Sequence, residues 1–177
     1  YGRLYGRMSA LADSIYGKLL GPVALAGGTW TVERGFIHTV RAPLSVLIGG
    51  ECGTCADNEA YYNTLGQERD APCPDCNGTG RTVGVLRELL KREPVDRVEV
   101  TDREPYHAAD SLWYYDDRHG ADLYALPDDV LNLLGGESAE SAGTGYRSCG
   151  FPTESAARDA LSAALIRMAS QPVCELK

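Results

Sequence analysis

The chain has 177 residues, 44% of them hydrophobic and 24% charged, and a formal charge of −8. That size and balance suit one globular domain, or one domain carrying a small inserted module, and exclude a disordered or fibrous chain. The acidic charge disfavours nucleic acid, and without an apolar stretch of membrane-spanning length or a signal segment the expected setting is cytoplasmic, with no membrane partner.

A first residue of Tyr1 rather than Met reads as a fragment or processed product whose context lies elsewhere. From Leu4 to Leu20, the residues Leu4, Met8, Leu11, Ala12, Ile15 and Leu19 recur at helical spacing and predict an amphipathic helix that Gly21-Pro22 ends. Trp30 to Val40 is β-branched and aromatic and reads as a strand region. His38 within it reads as a hydrogen-bonded structural residue rather than a catalytic one. Leu44 to Ile48 is a helical turn or two, stopped by Gly49-Gly50.

The next segment carries the most specific chemistry. Cys52-Gly-Thr-Cys55 and Cys73-Pro-Asp-Cys76 are two C-x₂-C pairs separated by seventeen residues, the spacing of a four-cysteine zinc module. Each tight turn brings two thiolates to one ion, and two turns complete a tetrahedron. Four sulfur ligands leave no position for water or substrate, so one structural Zn²⁺ is expected on Cys52, Cys55, Cys73 and Cys76. A thioredoxin-like redox motif fits less well, because both pairs sit among Gly, Pro, Asp and Asn rather than at a strand-to-helix junction. Cys149 and Cys174 are left as thiols of no special reactivity.

Beyond the module, Val83, Leu86, Leu89 and Leu90 share a helical face that Pro94 terminates, and Arg97-Val-Glu-Val-Thr alternates as a strand with Val98 and Val100 inward. Without the module the order is strand, short helix, helix, strand. That is a β-α-β unit with an interrupted crossover, so the two strands should be parallel and the ends of the insertion close together. The expected organisation is residues 1–50 as the first helix and strand/helix unit, 51–81 as the zinc-binding insertion, and 82–177 as the remainder of the same core.

The last third repeats a simpler order. Leu112 to Tyr115 is a short aromatic strand whose rings mostly pack inward. Pro127 opens a helix with Asp128 and Asp129 in its first turn and Val130, Leu131 and Leu134 as its stripe. Glu137 to Gly145 reads as a polar loop and Tyr146 to Phe151 as a strand. Thr153 caps a final helix with Ala157, Leu161, Ala164, Leu165 and Met168 facing the core. The densest polar cluster outside the cysteines is His107, Asp110, Asp116, Asp117, His119 and Asp122. These residue types suit a metal-dependent hydrolase, but no H-E-x-x-H or similar frame organises them, and a solvated turn is the simpler reading.

The run Cys73-Pro-Asp-Cys76-Asn-Gly78-Thr-Gly80 resembles the C-x-x-C-x-G-x-G repeat of the zinc region of DnaJ-type co-chaperones. Three further phrases, Leu20-Gly-Pro-Val-Ala, Arg34-Gly-Phe-Ile-His-Thr-Val and Glu93-Pro-Val-Asp-Arg-Val-Glu-Val-Thr-Asp-Arg, together resemble bacterial repeat-companion proteins, which carry degenerate leucine-rich-repeat-like segments. That resemblance implies an α/β fold of short solenoid-like strand/helix units and supplies no activity. The expected function is therefore a zinc-stabilised, non-enzymatic module for protein interaction or accessory work in a larger assembly. The alternatives are a nucleic-acid-binding zinc module and a metal-dependent hydrolase using the Asp110–Asp122 region.

Overall fold

A computed structural model describes residues 17–50, 52–53, 81–117, 123–135, 137–138 and 146–171. Helix α1 covers residues 17–25 and runs through Gly21-Pro22, where the sequence had predicted a stop. Proline removes one N–H donor, but its carbonyl still accepts, and the Pro22 carbonyl takes the Ala26 amide at 3.2 Å. Burial of Leu20 and Val23 outweighs the lost bond. The helix stops instead at Gly27, with φ 73, where Gly27 N–H bonds the Ala24 carbonyl and Gly28 N–H the Val23 carbonyl in a Schellman arrangement.

The single strand region expected from Trp30 to Val40 is a hairpin, β1 (Thr29–Glu33) and β2 (Phe36–Ala42), paired antiparallel. Its two-residue turn, Arg34-Gly35, has φ of 52 and 85, the positive pair that matches the twist of the flanking strands. After β2 comes α2 (Leu44–Ile48), and beyond the insertion α3 (Val85–Leu90) and β3 (Arg97–Val100). β3 pairs parallel to β2, with Val40 opposite Val98 and Arg41 opposite Glu99, as the interrupted β-α-β reading requires. The sheet order is β1-β2-β3. α2 and α3 are each too short to persist alone. They are held by buried Leu44, Leu47, Leu86 and Leu89, each contributing about 1.5–3 kcal/mol relative to exposure. Val83 precedes α3 and is exposed, so it does not join the helical face expected of it.

β4 (Tyr106–His107) and β5 (Trp113–Tyr114) form a short antiparallel ribbon, followed by α4 (Asp128–Leu133). β6 (Glu137–Ser138) pairs with β7 (Tyr146–Arg147), so the segment expected as a loop opens with strand pairing. Helix α5 (Glu154–Ser170) starts where Thr153 accepts the Ala156 amide with its side chain at 3.1 Å. It packs against β3, α3, α4 and β5. The fold is thus mixed α/β, with one apolar core drawing on both sides of the insertion, from Leu20 and Val40 through Leu86 and Val98 to Leu161 and Leu165.

Candidate functional site

The insertion leaves the core between α2 and α3, and glycines make that root possible. Gly49 takes φ 85, and a Cβ placed there would stand 1.8 Å from the Thr82 carbonyl oxygen. A Cβ on Gly84 would stand 2.3 Å from the Leu47 carbonyl oxygen. With neither side chain present, the outgoing and returning strands of chain lie together. The Thr82 amide donates to the Gly50 carbonyl at 2.9 Å, and the Gly50 amide donates to the Thr82 hydroxyl at 3.0 Å. Arg81 then grips Asp129, in the first turn of α4, with a two-pronged fork at 2.7 and 3.1 Å.

Cys52 follows this root directly and is buried. The other three expected zinc ligands, Cys55, Cys73 and Cys76, lie outside the described residues. The donor chemistry of the four cysteines fits zinc, since soft thiolates are what the ion accepts. Cys149 is described, and its Sγ meets the Gly135 carbonyl; Cys174 lies outside the described residues.

The described members of the polar cluster take separate local roles. His107 lies against Trp113 with ring centroids 4.9 Å apart. Asp110 caps a turn, accepting the Leu112 amide at 3.0 Å and the Tyr114 hydroxyl at 2.5 Å. The Tyr114 hydrogen bond, then the Leu112 amide, holds the Asp110 carboxyl below its ordinary range, and the same bond pushes the Tyr114 phenol up. Asp116 is buried, its main chain bonding Tyr124 and Leu126. His119 and Asp122 lie outside the described residues. Among the described residues, no three His, Cys, Asp or Glu side chains gather where they could hold a metal ion. Likewise, none of the described helices is long and apolar enough to cross a membrane.

The aromatic run is mostly interior. Tyr115 is fully buried and Tyr114 nearly so, while the Arg147 guanidinium sits 4.5 Å over the Tyr114 ring. His38 donates through Nδ1 to the Asp96 carboxylate at 2.9 Å, linking β2 to the segment before β3.

One constellation escaped the sequence. Arg41, Arg97, Arg103 and Arg158 line a single cavity together with Glu99 and Tyr115. The alternation of β3 gave a partial signal, since Arg97 and Glu99 occupy the face opposite Val98 and Val100. Nothing local brings Arg41 or Arg158 to the same place.

Comparison of the chain with family models, curated proteins and solved structures finds no match.

Proposed function

We propose that the chain is a zinc-stabilised, non-enzymatic module serving protein–protein interaction or an accessory role in a larger assembly. In this reading short solenoid-like strand/helix units form the core, and the four cysteines hold one structural zinc in the insertion. The parallel pairing of β2 and β3 through α2 and α3 supports the first part. The observation that carries the second is the clasp between Gly50 and Thr82. It closes the root of the insertion onto the core, which supports a module that can be added to the crossover without displacing either strand. In this reading Cys52, two residues beyond Gly50, supplies the first thiolate, and a four-sulfur shell would make the ion a fastener rather than a Lewis acid.

Elemental analysis of freshly isolated protein should find about one zinc per chain. Cys55→Ser or Cys73→Ser should lower that content, and chelation should open the 51–81 segment to protease while the rest of the core stays protected. Metal-free protein as isolated, or an unchanged cleavage pattern after verified zinc loss, would refute the reading. Proteins that co-purify with the intact chain identify the assembly.

A further inference from the structure

The arginine-lined cavity has a volume of about 310 Å³, within the range of small-ligand pockets. It runs along β3 from Arg97 to Val100, beside Arg41 of β2 and against the Arg158–Leu161 stretch of α5. Its wall carries four guanidiniums and one carboxylate. Glu99 bridges two of them, with Arg41 Nε at 2.9 Å and Arg97 Nε at 3.2 Å. Arg97 is further tied to Asp159 at 2.5 Å. Arg103 is fixed by the Ala125 carbonyl at 2.6 Å, the Asp102 carbonyl at 2.8 Å and the Asp102 carboxylate at 3.0 Å, and Arg158 by Glu154 at 2.7 Å. Each fork is therefore oriented, yet a guanidinium has five N–H donors and these bonds do not use them all.

Tyr115 adds a second, independent feature. It stands on the same wall, its side chain is fully buried, and its hydroxyl has no hydrogen-bond partner among the described residues. Buried hydroxyls in folded proteins are nearly always paired, so one left without a partner beside an arginine-lined cavity points to a ligand acceptor. Burial pushes the phenol pKa up, which keeps it a donor at neutral pH.

We propose that this cavity binds a phosphoryl dianion, presented as inorganic phosphate or as a small phosphate monoester. A carboxylate offers only two acceptor atoms, whereas a phosphoryl group turns three oxygens toward several forks at once. The residues that line it all lie outside the 51–81 segment.

The test uses the full chain as isolated, titrated with inorganic phosphate and with phenyl phosphate by calorimetry and ³¹P NMR. Acetate and chloride at matched ionic strength are the controls. Saturable one-to-one binding is expected, with acetate weaker by about tenfold or more. Arg41→Gln and Arg158→Gln should each weaken phosphate about tenfold. Tyr115→Phe should weaken it severalfold while leaving the melting temperature of the free protein unchanged or higher. Binding of phosphate alone assigns the free ion, and binding of the ester alone or of both assigns a phosphorylated metabolite; either supports the proposal. Phosphate no better than acetate, or affinity that none of the three variants alters, overturns it. Arg158 also braces the first turn of α5, so Arg41→Gln, at a side chain 57% exposed, keeps the test valid if Arg158→Gln unfolds.

Discussion

The amide of Thr82 donates to the carbonyl of Gly50 at 2.9 Å, joining two residues 32 positions apart at the point where the chain leaves and re-enters the core. That contact is set by backbone geometry, because Gly49 at φ 85 turns the outgoing chain into the path of the returning one. Gly49→Ala should therefore be costly. It combines an unfavourable left-handed conformation with a Cβ 1.8 Å from the Thr82 carbonyl oxygen, and a loss of about 2 kcal/mol or more is expected. Gly50→Ala, where a Cβ meets nothing within 4 Å, should fall within about 0.5 kcal/mol of wild type. Urea denaturation of the pair checks this, and equal destabilisation by both would show that the clasp is not glycine-dependent.

The features read correctly from sequence are those decided locally. Thr153 caps α5 because its hydroxyl reaches the Ala156 amide within one turn, and the alternation at Val98 and Val100 registers directly on the pleat. The parallel β2–β3 pair was legible because a crossover of two helices permits little else. The misread elements turn on compensation. Pro22 sits inside α1 because buried Leu20 and Val23 hold the helix, and the hairpin was hidden because Arg34, not Asn or Asp, precedes Gly35 at its turn. The four cysteines proposed to hold zinc stand out by their spacing. The arginine cavity does not, since β2, β3 with the segment after it, and α5 assemble it from distant parts of the chain.

Because the ends of the insertion already touch, removing residues 51–81 and joining Gly50 to Thr82 through a short glycine-serine link should preserve the sheet. The variant loses the buried Cys52 and the Arg81–Asp129 fork, so its melting temperature should fall without loss of a single cooperative transition. Far-UV circular dichroism and a thermal melt measure both. A broad, non-cooperative melt would mean that the insertion is part of the core rather than an addition to it.

Ser162 occupies an inward position of α5 that hydrophobic patterning skips. Its hydroxyl accepts the Val98 amide at 2.8 Å, satisfying a donor on the side of β3 away from β2. Ser162→Ala leaves that buried amide unpaired and should cost about 1–3 kcal/mol. Ser162→Thr keeps the acceptor, adding only a methyl group, and should recover part of the loss. Chemical denaturation of the two variants separates the hydrogen bond from simple packing, and a Ser162→Ala variant as stable as wild type would remove the bond from the account of how α5 docks.

The bond from the Tyr114 hydroxyl to Asp110 ties the turn between β4 and β5 to its own strand and gives stability a defined pH window. The Asp110 carboxyl has its pKa lowered in the folded chain, so its contribution is complete above the ordinary carboxylate range, about 4, and is lost as pH falls through the lowered folded value. Tyr114 is raised by the same bond, so its contribution is complete below the ordinary phenol value of about 10 and is lost as pH rises through the raised one. The melting-temperature difference between wild type and Tyr114→Phe should accordingly form a plateau between about pH 5 and pH 9. It should narrow in acid, where the carboxyl takes up its proton, and again in strong base, where the phenol loses its own. Both flanks draw on one hydrogen bond, so Asp110→Ala, which removes the acceptor, should abolish the acid flank and shrink the basic one, where burial of the phenol still contributes; an acid flank that survives Asp110→Ala would break the assignment.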